Sequence, residues 1–383
     1  MLYNNFQISY SLNVFPGTSL SAKIDNLKEF IPNLRKELNL SDTVPIAVGL
    51  WIDNITAVEL LDQNNIEQLI ALFKSLNIYT TSINAFPYST FHNEPVKTKV
   101  YQPDWTTDER KEYTINIARI LAQLLPVEQM GSISTLPGGY KAYLNNNDLH
   151  KIAYNITEVL TVLDDIYNNE NKEIVLAIEP EPDCLWENSQ EFISFYNDYF
   201  KDKALKEFLG ICYDTCHFEL QATPPGYELE NFIRNGIKIA KVQLSAALKI
   251  NTNSKRIENF IDKVYLHQSR IVNNNVVTKF NDLTDETISI LNNSKPQELI
   301  VHYHLPLYLD TMFNDKAALV LKEELVKTIK VLKSRNILSS LEIETYTYTT
   351  LNYLDKKADD YIGSITKEIA KEYRFVFKTL DLQ

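Results

Sequence analysis

The chain has 383 residues, 44% of them hydrophobic and 23% charged, with a formal net charge of −12. That balance suits an ordinary soluble globular protein with ample material for a large core. The acidic surplus, without a dense Lys/Arg cluster, argues against nucleic acid as a partner.

Along the chain, short apolar runs alternate with longer helical patterns, as in parallel strands joined by helical crossovers. FQISYSLNVF precedes SLSAKIDNLKEFIPNLRKEL, VPIAVGLWI precedes NNIEQLIALFKSLN, and IYTTSINAF precedes DERKEYTINIARILAQLL. GSISTL precedes NNDLHKIAYNITEVLTVLDDIY, EIVLAIEPEP precedes SQEFISFYNDYFKD, and LGICYDTCH precedes YELENFIRNG. IAKVQLS leads into an irregular stretch whose VYLHQSRIVNNNVVTKF reads as a hairpin. ELIVHYHLP and SLEIETYTY, each followed by a helical pattern, complete the series. Nine strand candidates thus compete for a barrel of eight, and one of GSISTL, IAKVQLS or ELIVHYHLP belongs to an insertion. The expectation is a single (β/α)8 TIM-barrel domain over residues 1–383, with a β-hairpin inserted at about 246–285.

Cys184, Cys212 and Cys216 are too few, and odd in number, for a disulfide framework. MLYNNFQISYSLNVFPG lacks the basic and small-residue regions of a signal peptide, and no apolar stretch approaches a membrane span. The reading is a cytoplasmic protein without membrane insertion.

In a parallel barrel, the C-terminal ends of the strands line the active-site mouth. Here those ends carry Asn13, Asn84, Thr135, Glu179, Asp214, Gln243, His304 and Glu344. Glu179 follows five apolar residues, where a carboxylate is costly to desolvate unless paired or bound to a cation. Pro180 keeps it out of the helical region and so holds its direction. An ordinary strand-end carboxylate reaching solvent fits the run equally well. Asp214 and His217 repeat the pattern as the chain leaves LGICY, although D-x-x-H is also common by chance. His302 and His304, two apart, would share one face of a strand, and His267 sits in the expected hairpin as a rim or lid residue. Glu344 lies nearer the mouth than Glu342, and Glu181 reads as loop support. His150 sits in a helical pattern and reads as structural. Acids and imidazoles converging on one rim point to a divalent cation, with manganese, zinc and magnesium all open.

In order, IEP, DTCH, KVQLS and EIET resemble the xylose-isomerase-like TIM barrels. More closely, NVFPG, NAFPYSTFH, VYQPDW, GSISTLPGGYK, IEPEPDCLWE, YDTCH, KVQLSAAL, YLHQ, VHYHLPLY and EIETYTY resemble the EboE family of metabolite traffic proteins. The superfamily resemblance implies a Glu, an Asp, a His and a second Glu around one metal. Carried over, Glu179 and Glu344 are ligands that also move protons, Asp214 is a ligand and His217 contacts substrate. Gln243 stands where the sugar epimerases have a histidine, so either it ligates or His304 or His267 moves in. Asn13, Asn84, His267, His302 and Trp186 are the expected substrate-binding residues. The EboE resemblance implies a place among proteins of one gene cluster that handle secondary-metabolite precursors.

The leading expectation is therefore a metal-dependent isomerase- or epimerase-like enzyme acting on a small polar metabolite. A metal-dependent hydrolase, or a non-catalytic protein handing a metabolite to partner enzymes, are the alternatives.

Overall fold

Eight of the nine apolar runs form one parallel sheet that curls into a nearly closed barrel. The computed structural model describes residues 1–3, 6–17, 19–89, 96–221, 223–252, 254–273, 276–292, 297–337, 339–348, 351 and 360–381. In chain order the barrel strands are Phe6–Tyr10, Ile46–Trp51, Ile78–Asn84, Gly131–Thr135, Ile174–Ile178, Leu209–Asp214, Lys238–Leu244 and Ser339–Ile343. Consecutive strands pair in parallel from the second to the eighth, and the eighth pairs with the first. Between the first and second strands, Ser11 and Gly49 make a single bridge. The strands are almost entirely buried, which is why they read as continuous apolar runs.

Between strands the chain returns through amphipathic helices such as Leu20–Leu38, Asp108–Leu124, Asp148–Glu170 and Glu323–Arg335. Their ends are written in the sequence. Ser19, Asp62, Thr107 and Asn188 cap N-termini through their side chains. With only nine glycines in the chain, asparagine takes the left-handed position after four helices, at Asn39, Asn77, Asn171 and Asn336.

ELIV, the ninth candidate, leaves the barrel. Glu298–Val301 belongs to a five-stranded antiparallel sheet with Ala247–Asn251, Ser269–Asn273, Val276–Phe280 and Ala318–Leu321. The expected hairpin is there as the second and third of these strands in chain order. It forms one side of a larger excursion, which extends beyond residue 285 to Leu321 before the chain returns to the eighth barrel strand. The reason is that Val301 pairs back on Leu248, just past the seventh barrel strand, so the strand before His302 is held against the insertion.

Inside the barrel the packing is partly ionic. Lys241 and Glu342, both fully buried on the seventh and eighth strands, lie 2.7 Å apart. Lys241 also donates to Ser134, and Ser82 donates to Glu342. All three cysteines are free and buried. No helix among the described residues is long and apolar enough to cross a membrane.

Candidate metal centre

The strand ends sit level because the register aligns them. Asp214 lies opposite Gln243, and Gln243 opposite Glu342, while the Glu179 N–H donates to the Thr135 carbonyl. As a result Glu179, Asp214 and Glu344 converge, with ligand oxygens within 4.8 Å of one another. All three are buried. Glu344 is steered by Asn13, which donates to its Oε1 at 2.6 Å, and more weakly by Asn84 at 3.4 Å. The Asp214 Oδ1 accepts from the Cys216 and His217 N–H groups and from Ser245. Its Oδ2 and the Glu179 Oε2 are buried without a hydrogen-bond partner.

Three buried carboxylates at this spacing repel one another, and the nearby Lys241 is taken up by Glu342. The Glu179 carboxyl is pushed well above the usual range by burial and by the charges of Glu344 and Asp214. Burial, with Asp214 adding to it, pushes Glu344 up to about 8. Asp214 is also desolvated, but His217, His304 and the Ser245 hydroxyl outweigh burial and hold it below its ordinary value. A divalent cation fits this donor set: it would take the two orphaned oxygens and relieve the repulsion. Glu179, Asp214 and Glu344 would hold it.

His304 stands beside this cluster. Its Nε2 is 3.8 Å from the Asp214 Oδ2, and its Nδ1 is 3.6 Å from the Glu344 Oε2. Burial lowers its pKa to about 4, so the ring is neutral and able to ligate near neutrality. Gln243 is arranged differently from the expected ligand. Its Oε1 accepts from the Cys212 thiol at 2.9 Å.

Above the carboxylates opens a pocket. Asn13, Asn84, Glu179, Glu181, His217, His302, His304 and Glu344 line it, together with Phe86, Tyr101, Lys97, Tyr265 and Tyr346. His217 donates from Nδ1 to the Pro180 carbonyl at 2.8 Å, which leaves its Nε2 lone pair free of that bond. Glu181 accepts from the Tyr101 hydroxyl at 2.8 Å, and burial raises its pKa to about 7.

Two expected substrate-binding residues are not in the pocket. Trp186 is buried against Phe192 and Phe195, one helical turn apart on the following helix, and serves the core. His267 lies flat on Tyr303 with ring centroids 3.7 Å apart. Its two nitrogens face the His302 carbonyl and Asp262, so it braces the strand end that carries His302. His150 is exposed on its helix and meets the Tyr199 ring edge-on.

Sequence reasoning undervalued Glu181 and missed Lys241. The signal for Glu181 was available: Pro182 restrains it as Pro180 restrains Glu179, and extended residues two apart share a side.

Neither a protein-family model nor a curated protein matches the sequence. Solved structures do match, along the whole chain. A D-tagatose 3-epimerase-like protein superposes with a TM-score of 0.50 at 15% identity, covering 97% of this chain and 98% of its own. A D-allulose 3-epimerase from Methylomonas sp. gives 0.53 at 9% identity, covering 98% of each chain. An L-ribulose 3-epimerase gives 0.51 at 10% identity, covering 98% of this chain and 94% of its own. The fold is a (β/α)8 barrel like that of these structures. At such low identity the likeness extends to the fold alone.

Proposed function

We propose that this chain is a metal-dependent epimerase- or isomerase-like enzyme acting on a small, polyhydroxylated metabolite. The observation that carries the reading is the pair Glu179 and Glu344. Both are buried, both have raised pKa values, both line the pocket, and both share one donor set with Asp214. The structural neighbours that are sugar 3-epimerases support the same reaction class.

A divalent cation held by Glu179, Asp214 and Glu344 would supply stabilisation of negative charge developing on a substrate oxygen. The proton work belongs to the protein. Two like-charged carboxyls in one desolvated site lose their protons in separate steps, so one can accept a proton while the other donates. Hydrogen bonds from Asn13 and Asn84 favour ionised Glu344 as the acceptor, while Glu179, with Oε2 turned to the cation, would give a proton from its other oxygen. Reversal of the two roles serves the opposite stereoisomer. The free Nε2 of His217 accepts from a substrate hydroxyl, and Phe86, Tyr265 and Tyr346 exclude water around it. His304 Nε2, 3.8 Å from the Asp214 Oδ2, would add a nitrogen donor beside the carboxylates, which favours catalysis over a carrier with an incomplete shell. A place in secondary-metabolite precursor traffic, beside other proteins of one gene cluster, rests on the motif resemblance to the EboE family.

The test is proton exchange in deuterated water across a panel of ketoses and related hydroxy-ketones, with manganese, zinc or magnesium added. The wild-type chain should incorporate deuterium at one carbon of its substrate. Glu344→Gln should fold normally and exchange about 10²–10⁴-fold more slowly. An unchanged exchange rate in that variant would remove Glu344 from the chemistry.

A further inference from the structure

The pocket holds a second set of donors beside the carboxylates, and their hydrogen bonding is already settled. The Gln268 Nε2 donates to the Pro182 carbonyl and to the Tyr101 hydroxyl, so its Oε1 is the atom facing His302 Nδ1 at 2.8 Å. His302 therefore carries its proton on Nδ1. His304 presents Nδ1 to the Glu344 main-chain carbonyl at 3.2 Å, and His217 presents Nδ1 to the Pro180 carbonyl. All three imidazoles are thus anchored through Nδ1–H to carbonyl oxygens, the usual support of a metal-bound histidine.

The consequence is an electrostatic conflict. The Nε2 atoms of His302 and His304 face each other at 3.2 Å, and both are lone pairs. One donor atom from each of Glu181, His217 and His302 also lies within 4.8 Å of the other two, with Glu181 Oε1 3.9 Å from the His302 ring at Nδ1, and all three residues are buried. Charge points the same way. Glu179, Glu181, Asp214 and Glu344 are four acids around one pocket, while Lys241 is paired with Glu342, Lys97 with Asp282 and Arg270 with Asp183. One divalent ion neutralises half of that set.

We propose that His302, His217 and Glu181, with His304 at the boundary, form a second cation site for a borderline metal of the zinc or cobalt class. Imidazole nitrogen selects such ions, whereas the neighbouring all-carboxylate cluster also accepts magnesium or manganese. The site rests on the proposed function and revises one detail of it, because the ion would take the His217 nitrogen that otherwise faces substrate. It shares a pocket with the carboxylate site and does not depend on which reaction is catalysed.

The test is metal stoichiometry on the full chain, stripped with chelator, reloaded with excess zinc, gel-filtered and measured by elemental analysis. Wild type should hold two zinc ions, and His302→Ala and Glu181→Gln one each. Reloading with magnesium or manganese should give at most one. Cobalt(II) should show visible d–d absorption that falls at least twofold in His302→Ala. Circular dichroism checks folding, and Glu181→Gln, nearly isosteric, carries the test if His302→Ala misfolds. A wild-type count of one, or two ions retained in both variants, overturns the second site. Failure of the carboxylate site reads differently: Glu179→Ala keeps the wild-type count while His302→Ala still loses an ion.

Discussion

Replacing Lys241 with methionine would test whether the barrel interior depends on its ion pair. Lys241 Nζ is 2.7 Å from Glu342, and neither side chain has solvent access. Removing one member leaves the other charge buried and unpaired, at a cost of about 3–5 kcal/mol. Unfolding entropy near 2.1 cal/mol/K per residue gives about 0.8 kcal/mol/K for this chain length. The Tm of Lys241→Met should therefore fall by about 4–6 °C in differential scanning fluorimetry or calorimetry. The double variant Lys241→Met/Glu342→Gln removes both charges while keeping shape and the Ser82 hydrogen bond. It should be more stable than Lys241→Met alone. A Tm of Lys241→Met within about 1 °C of wild type, or a double variant less stable than the single, would refute the reasoning.

Gly49→Ala should also destabilise the barrel, by about 1–3 kcal/mol in urea unfolding, as overpacked cores do. The new Cβ would collide with the Glu342 carboxylate, which Lys241 already holds in place. Trp186→Ala should cost about 3–5 kcal/mol of stability while leaving metal content unchanged; loss of metal would return Trp186 to the site. Stability of the metal-free chain should fall between pH 6.5 and 8, followed as Tm. Glu344 holds its proton to about 8 and Glu181 to about 7, so in this window the folded state binds more protons than the unfolded one. Buried His304, at about 4, acts oppositely but only below the ordinary imidazole range. Adding zinc or manganese should flatten the slope, and a slope unchanged in Glu344→Gln would exclude Glu344 as a source of it.

Much of the barrel was legible because a strand covered on both faces must be apolar throughout, and a turn must follow. Glu179, Asp214 and Glu344 stood out for the same reason, as acids ending such runs. What escaped was whatever depends on a distant partner. Lys241, between Ala240 and Val242, gives no sign by itself that Glu342 waits a hundred residues away. The EPEP segment showed Glu179 but hid Glu181, whose place depends on Tyr101 and on histidines from the insertion. Trp186 looked like a rim aromatic because its loop follows a strand end, yet Phe192 and Phe195 draw it inward. ELIV had the pattern of a barrel strand, and only its antiparallel pairing with Ala247–Asn251 assigns it to the excursion.

That excursion bears on the order in which the molecule assembles. The eighth strand must find the seventh and first across residues 245–338, about three times the span of an ordinary βαβ crossover. Loop-closure entropy grows only with the logarithm of length, so the extra span costs about 1 kcal/mol of stability. Rate is another matter, since long-range pairing is slow to form. Glu344 is brought in by this last strand, and His302 and His304 by the excursion that precedes it. During refolding, capture of the cation should therefore lag behind helix formation and coincide with barrel closure.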